Sequence, residues 1–360
     1  MQENTNLKTH FSRGLLIVVC LLLTPFLAHT ATVKTNFAGA MTSDSITAVW
    51  VAKELGIFQK HGLDLQYVVM PNGTLTIAAL LSGEIDMGLG GPGHILDAAV
   101  GGADVICIAN FFQRLDFTLT GRPEIKKPED LRGKKITTSG PGSTSHMVTL
   151  LALQRLDLEP KQAKINLVTI PGTEINRRLA LESGAVDATA LRGAIGDLYS
   201  QKGYPALFNF RGSDVTMPQT LVLTTRRTAA NKPQLVGAYL KALIEGIAFV
   251  VEPANRDTVS RILASKLRLS NPADVEKVYQ SVSGSYERIP YPNLDGMKRL
   301  HSILTLTNPK LATVRPEAVM DASSSTSSKA PALFRAFIKS GELSFERELL
   351  NSRQSRPALL

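Results

Sequence analysis

Four short loops in the sequence are rich in glycine, serine and threonine, and each one precedes a segment whose pattern predicts a helix. They lie at residues 42–45, 90–94, 139–144 and 191–193. Backbone N–H groups at a helix N-terminus, flanked by small hydroxyl side chains, can replace the water around a small polar or anionic ligand. The loops therefore indicate a binding site for such a solute, although the same residues are also typical of ordinary helix capping and turns.

Arg192 lies in the last of these loops, at the end of a predicted strand. A guanidinium there could donate two hydrogen bonds to a carboxylate, a sulfonate or a phosphate, and a surface salt bridge is the alternative interpretation. Asp44, in the first loop, would repel an anion. We expect this carboxylate instead to cap its helix or to meet an amine.

Other polar and aromatic residues near these loops are expected to be mainly structural. Trp50 has the helical spacing of a core residue that faces a sheet. His94 and His146 each begin a helix beside the predicted cleft, where either could touch a ligand, but turn and capping roles are favoured. Glu174 and the arginine pair at 177–178 are expected on a solvated helix face.

The elements that position these loops come from an internal repeat. The sequence SGEIDM at residues 82–87 returns as SGAVDA at 183–188, an offset of 101 residues. Near the same offset, the polar clusters TSDS at 42–45 and STSH at 143–146 each precede apolar residues spaced i, i+3, i+4, which predicts two capped helices. Gly73 and Thr74 pair less regularly with Gly172 and Thr173, at an offset of 99 residues. Two copies of one structural unit are therefore predicted.

Each unit alternates three predicted strands with three predicted helices. The predicted strands are 33–39, 65–70 and 85–89 in the first unit and 134–139, 165–170 and 186–191 in the second. This alternation is typical of parallel sheets, whose ligands bind at the carboxyl ends of the strands. Two such sheets facing each other would form a cleft. After about residue 226 the pattern becomes helical, at 233–251, 256–268, 273–286 and 294–305.

The composition is that of a globular protein with about two domains, since 44% of its 360 residues are hydrophobic and 20% are charged. The net charge of +9 is spread along the chain without a basic cluster, which argues against nucleic acid as a partner. The two cysteines, Cys20 and Cys107, cannot build a four-cysteine metal site. We predict neither a metal nor a cofactor.

The first 31 residues predict a secretory signal peptide. Basic residues precede a short apolar run at 15–23, Pro25 breaks that run, and small residues follow. The run is shorter than the roughly 20 residues of a membrane-spanning helix. We expect export and a soluble mature protein, with an uncleaved N-terminal anchor as the alternative.

Residues 52–65, AKELGIFQKHGLDL, end one predicted helix, turn at two glycines and start an alternating strand. This segment resembles a signature of the nitrate/sulfonate/taurine-type solute-binding proteins of ABC transporters. The two Ser-Gly-x-Ile/Val-Asp segments and residues 127–134, KPEDLRGK, are also similar to that family. The resemblance covers roughly residues 33–250.

The resemblance implies an α/β, two-lobed periplasmic-binding-protein fold of the type II-like kind, in which each lobe is a mainly parallel sheet flanked by helices, with a helical C-terminal extension. After the signal peptide at 1–31, residues 32–115 would form the first part of lobe 1, 116–221 lobe 2, and 222–360 the rest of lobe 1. The chain would cross between lobes near residues 110–122 and 216–224.

By the same resemblance, the protein would be a periplasmic monomer that captures a small polar or anionic solute, such as a sulfonate, nitrate or carboxylate, by hinge closure. It would present the solute to an ABC permease in the inner membrane and would catalyse no reaction. The family pattern places seven residues at the ligand: Ser43, Ser45, Gly91, Gly142, Ser143, Thr144 and Arg192.

Three other functions are alternatives to this one. Residues 88–93 match G-x-G-x-x-G, but Pro92 lacks the N–H that a phosphate would need, and no acidic residue ends a strand about 20 residues later, which argues against a dinucleotide enzyme. A hydrolase is disfavoured because neither H-E-x-x-H nor G-x-S-x-G occurs. A binding protein that reports to a receptor stays open, since the same closed surface would serve a sensor.

Overall fold

The computed structural model of the chain describes residues 32–40, 43–171, 173–213 and 215–320. The predicted signal peptide at 1–31 lies outside the described residues, as does Thr42 of the first polar loop. Ten strands are described: Val33–Gly39 (β1), Leu63–Val69 (β2), Met87–Gly90 (β3), Val105–Arg114 (β4), Phe117–Gly121 (β5), Lys135–Thr138 (β6), Asn166–Thr169 (β7), Ala188–Arg192 (β8), Ala206–Asn209 (β9) and Thr216–Thr225 (β10).

The described residues also form thirteen α-helices, several of which begin at the serine, threonine or asparagine caps that favour helix starts. They are Thr47–Glu54 (α1), Ile57–Lys60 (α2), Gly73–Ser82 (α3), Pro92–Val100 (α4), Thr144–Arg155 (α5), Glu174–Glu182 (α6), Gly193–Gln201 (α7), Arg226–Asn231 (α8), Pro233–Val251 (α9), Arg256–Leu267 (α10), Pro272–Ser285 (α11), Leu294–Thr307 (α12) and Pro316–Val319 (α13).

The strands form two five-stranded sheets with equivalent orders, β2-β1-β3-β10-β4 and β7-β6-β8-β5-β9. In the first sheet, β1 pairs in parallel with β2 and β3, while β10 runs antiparallel between β3 and β4. In the second, β6 pairs in parallel with β7 and β8, while β5 runs antiparallel between β8 and β9. The predicted pair of mainly parallel sheets flanked by helices is confirmed. We call the parts of the chain built on these sheets the first and second lobes.

The chain leaves the first sheet after Arg114 and enters the second at Phe117. It returns between Asn209 and Thr216, earlier than the predicted return near residues 216–224. Residues 216–221, assigned to the second lobe from the sequence, belong to β10 in the first sheet. The physical reason is that β10 lies between two neighbours, so that a buried ten-residue strand has partners for its backbone polar groups on both sides.

The helices after β10 extend the first lobe and also contact the second. The long apolar α9 packs on α1, and α11 packs on α10 as well as on α7 of the second lobe. By length and composition α9 could cross a membrane, but more than half of its most apolar stretch is buried inside the protein, as in a core helix. The predicted helical C-terminal region is confirmed.

The sequence repeat is visible in the helix caps. Asn72 accepts from Leu75 N at the start of α3, and Thr173 accepts from Asn176 N at the start of α6. These two caps are 101 residues apart, so the pairing of Gly73 with Gly172 expected from the sequence is wrong by two residues. Trp50 lies in the apolar core of the first lobe, as predicted.

Candidate functional site

A cavity of about 80 Å³ lies between the two lobes, at the C-terminal edges of β3, β6 and β8. This is the edge where ligands of parallel sheets bind. Six of the seven predicted binding residues line it: Ser43, Ser45, Gly91, Ser143, Thr144 and Arg192. The structure therefore brings together loops that lie up to 149 residues apart in sequence, from Ser43 to Arg192.

The serine loops both cap their helices and line the cavity. Ser43 Oγ accepts from Ser45 N at 3.4 Å and lies 2.7 Å from Ser45 Oγ. Ser143 Oγ accepts from His146 N at 3.2 Å and donates to Gly140 O at 2.7 Å. The capping interpretation is confirmed for Ser43 and Ser143, while contact of these hydroxyls with a ligand stays a prediction.

Two Gly-Pro-Gly sequences, at 91–93 in the first lobe and 140–142 in the second, face each other beside the cavity. A Cβ added to Gly93 would lie 2.6 Å from Gly142 Cα, and one added to Gly91 would lie 2.8 Å from Gly142 O. The His94 backbone N–H donates to Gly142 O at 3.1 Å. Only glycines allow the two loops to approach this closely. Gly142 therefore lies in the contact between the lobes, next to the cavity lining rather than in it.

His94 links the two glycine loops through its ring. Its Nδ1 accepts from the Gly91 N–H at 3.2 Å, and the ring lies against Gly73 and Gly142. Burial lowers the pKa of His94 to about 4, so the imidazole is neutral at pH 7 and its Nδ1 can act as an acceptor. The predicted turn role is confirmed, and the residue also lines the cavity.

Arg192 ends β8, caps the start of α7 and is only 3% exposed. Its Nη1 lies 3.1 Å from Asp44 Oδ2 of the first lobe, and its Cζ lies 3.7 Å from the centre of the Phe112 ring. The salt bridge is therefore buried and joins the lobes, in contrast to the surface pair considered from the sequence. Asp44 meets a guanidinium rather than an amine.

Burial raises the pKa of Asp44, and the charge of Arg192 opposes that effect. Asp44 is 1% exposed and does not line the cavity; it lies behind Arg192. Because Asp44 pairs with Arg192 and does not line the cavity, its carboxylate does not directly face an anion bound there. The pair also holds the two lobes together by charge.

Glu174 and Arg177 correct the sequence interpretation, because both are buried in the cavity lining rather than solvated. Glu174 Oε2 accepts from the Arg192 backbone N–H at 3.4 Å, and Arg177 Nη1 donates to Ser139 Oγ. Arg177 Nη2 lies 4.0 Å from Glu174 Oε2. Charged residues spaced i, i+3 on a helix usually face solvent. Here both are buried against Ser139, which follows β6, and against the Arg192 N–H at the end of β8.

Burial also shifts the ionisation of this second pair. The pKa of Glu174 is raised by burial and by the negative charge of Asp44, and is lowered by Arg177. Burial lowers the pKa of Arg177, whereas the charge of Glu174 raises it. Among the residues that the structure describes, no group of histidine, cysteine, aspartate and glutamate side chains is arranged to hold a metal ion.

Gln219 and Thr220 line the cavity from β10 and were missed by the sequence analysis. Thr220 has a φ of 51°, a left-handed conformation that is strained for a β-branched residue. Gln219 Nε2 donates to Arg114 O at 2.6 Å. No local pattern marks a strained threonine in a strand, so the sequence carried no signal for it.

Two mainly parallel α/β lobes that meet at the C-terminal edges of their strands define the periplasmic binding protein fold. Within that fold, the chain belongs to the NMT1/THI5-like family, whose sequence model matches residues 43–255, more than half of the chain. A Brucella abortus (strain 2308) protein named as a binding protein is 30% identical over 167 residues. That match covers 46% of this chain and 49% of the Brucella protein, so the chain spans about half the length of the curated relatives it matches.

Solved structures share this fold over most of the chain. A protein of Bordetella bronchiseptica RB50 has a TM-score of 0.72 at 18% identity and covers 86% of this chain and 98% of its own. The alkanesulfonate-binding protein SsuA of Xanthomonas axonopodis pv. citri, solved bound to MOPS, has a TM-score of 0.63 at 19% identity, over 80% of this chain and 97% of its own. The predicted resemblance to sulfonate-type solute-binding proteins is confirmed for family and fold.

Proposed function

We propose that this protein is exported to the periplasm and binds a small polar or anionic solute between its lobes, for delivery to the permease of an ABC importer. The observation that carries the proposal is the cavity between the lobes, lined by serine hydroxyls, helix N-termini and buried charged groups. Such a lining replaces the water that a polar solute loses on entry. The names of the Brucella relative and of SsuA support a binding role.

Closure of the lobes is supported by contacts that reach from one to the other. Arg192 pairs with Asp44, and the His94 N–H donates to Gly142 O. These contacts require the lobes to lie together, and a solute in the cavity would add its own contacts to both sides. A solute that binds both lobes favours the closed arrangement by its difference in affinity for the two states.

A binding role without catalysis is supported by the groups in the cavity. His94 is a neutral imidazole whose Nδ1 already accepts from the Gly91 N–H, which leaves that atom unsuited to act as a general base. The G-x-G-x-x-G sequence at 88–93 packs against the glycine loop of the second lobe, with no room for a pyrophosphate between them.

The proposal is tested by a thermal-shift screen of the secreted protein against sulfonates, nitrate, carboxylates, aromatic acids and pyrimidines. A solute at 100 times its Kd adds about 2.7 kcal/mol to the stability of the folded state, a readable rise in Tm. We expect a hit to reduce the radius of gyration in small-angle scattering, since closure compacts the protein. Absence of any hit, or a hit without compaction, would contradict the proposal.

A further inference from the structure

The buried charges of the cavity occur in opposite pairs. Arg192 Nη1 lies 3.1 Å from Asp44 Oδ2, and Arg177 Nη2 lies 4.0 Å from Glu174 Oε2. Each of these four residues is less than a tenth exposed. Their formal charges sum to zero, so neither arginine offers an uncompensated positive charge to a ligand.

The next charged groups outward do not change this balance. Arg178 is half-buried and lowers the pKa values of Asp44 and Glu174, while Asp116 raises the pKa of Asp44. Asp116 also pairs with Arg211, which in turn pairs with Asp197, so the formal charges of these four outer residues again sum to zero. His94, the imidazole in the lining, is neutral near pH 7 because burial lowers its pKa to about 4. The closed site is therefore close to electrically neutral.

Electrostatics in a buried site penalises any net charge that has no partner. A monovalent anion would enter a cavity whose two guanidinium groups are already opposed by carboxylates, and would leave the closed site with one negative charge in excess. Hydrogen-bond capacity, however, is still available. Arg177 Nε and Arg192 Nε have no hydrogen-bond partner among the described residues. These donors and the serine hydroxyls can serve a solute that brings no net charge.

We infer that the site, in its proposed solute-binding role, selects a small solute of zero net charge over a simple monovalent anion, and that Asp44 sets this selectivity. The solute is either uncharged or carries balanced charges. Asp44 acts from behind the lining, by cancelling the charge of Arg192, and it belongs to the first lobe while Arg192 belongs to the second. Lobe closure thus brings the cancelling charge to the site.

The test removes the cancelling charge. Asp44→Asn leaves Arg192 buried without a carboxylate, so an anion would restore neutrality. We expect methanesulfonate and nitrate to bind this variant at least ten-fold more tightly than the unmodified protein in isothermal titration calorimetry. The control is Asp64→Asn, which makes the same change in net charge at an exposed position on β2 and is expected to leave anion affinity unchanged.

A second variant separates charge from folding. The double variant Asp44→Asn/Arg192→Gln is neutral again and should lose the gained anion affinity. Should circular dichroism show that Asp44→Asn is unfolded, Arg192→Gln alone leaves Asp44 unopposed, and we expect it to bind methylammonium at least ten-fold more tightly than the unmodified protein does.

Two outcomes overturn this inference without touching the proposed function. One is an unmodified protein that binds methanesulfonate or nitrate as tightly as Asp44→Asn does. The other is a folded Asp44→Asn variant with no gain in anion affinity. The proposed function fails on a different measurement, the absence of any compacting solute in the full screen, so the two failures are distinguishable.

Discussion

The two lobes are copies of one structural unit, yet they contribute different chemistry to the cleft. Three positions of the first lobe correspond, at the 101-residue offset, to three charged positions of the second: Gly73 to Glu174, Thr76 to Arg177, and Gly91 to Arg192. Gly91 and Arg192 have the same structural role, since each lies at the C-terminal end of the third strand of its unit and is the N-cap of the next helix. Among the described residues that line the cavity, the charged ones all come from the second lobe.

The two copies of the structural unit therefore have different roles in the cleft. The second lobe carries the charges, and hydrogen bonds within that lobe hold them, as between Glu174 and the Arg192 N–H. The first lobe places glycines where a side chain would prevent contact, as at Gly91 against Gly142. Among the described residues, Asp44 is the charged group that the first lobe contributes to this network, and it pairs with Arg192 of the second lobe.

The largest effect is expected from breaking the Arg192–Asp44 pair between the lobes. Arg192→Ala leaves Asp44 buried and unpaired, and we expect the free energy of unfolding to fall by about 3–5 kcal/mol in urea titration. The matched control is Arg226→Ala, whose partner Asp104 is about half exposed, with an expected loss below about 1 kcal/mol. Equal losses of unfolding free energy in the two variants would show that the Arg192–Asp44 pair contributes no more than an exposed surface pair.

The next effect depends on His94, which occupies in the first lobe the position of Ile195 in the second. Its pKa is about 4 when folded and ordinarily 6.5, so below pH 6.5 the unfolded chain binds a proton that the folded protein does not. Stability should therefore fall by about 3 kcal/mol as the pH drops from 6.5 to 4, and the loss is complete below that range.

This pH effect is measured by urea unfolding at several pH values, with His94→Gln as the comparison. The variant keeps a side-chain acceptor for the Gly91 N–H but has no titratable group at this position. We expect the unfolding free energy of the unmodified protein to fall more steeply between pH 6.5 and 4 than that of the variant. The difference between the two slopes is the contribution of His94 protonation. Identical slopes would mean that the imidazole is not buried in solution.

A smaller effect tests the glycine contact. Gly93→Ala places a Cβ 2.6 Å from Gly142 Cα, so closure requires the lobes to shift, at a cost of about 1–3 kcal/mol in affinity for a solute found in the screen. The control is Gly284→Ala, another helical glycine, where an added Cβ meets nothing within 4 Å. Calorimetry should show weaker binding for the first variant alone; equal affinities would place the glycine loops outside the closing contact.

The smallest effect concerns the support of the serine loop in the first lobe. The Tyr286 hydroxyl accepts from Ala48 N at 3.0 Å and donates to Ser45 O at 3.2 Å, and its ring packs on Phe112 below Arg192. Tyr286→Phe leaves a buried N–H without a partner, which costs about 1–2 kcal/mol of unfolding free energy in urea titration. Tyr204→Phe, at a half-buried position of the second lobe, serves as the control, and an equal loss there would deny Tyr286 this special role.

The sheets and the polar loops were predictable because their signals are local. Alternating strands, the repeated SG-x-x-D segment and serine caps such as Ser143 are patterns of a few adjacent residues, and the structure has the predicted strands within about two residues. The family resemblance rested on equally local segments. The position of Arg192 also followed from its place at the end of a strand.

Burial of charge was not predictable, because it depends on partners distant in sequence. Nothing near Glu174 or Arg177 indicates that Ser139 and the Arg192 N–H would meet them. Asp44 and Arg192 are 148 residues apart, so their pairing needed the relative position of the lobes. The return of the chain was misplaced for a similar reason, since the neighbours of β10 lie more than a hundred residues earlier.

Helix α11 contacts both α10 of the first lobe and α7 of the second. Its Ser281 hydroxyl donates to Asp116 Oδ2 at 3.2 Å, and Lys277 Nζ donates to Gln201 Oε1 at 2.7 Å. This helix therefore joins the lobes in addition to the two chain crossings and the Arg192–Asp44 pair. Opening of the lobes would require α11 to slide or its contacts with the second lobe to break. These contacts therefore limit the angle through which the cleft can open.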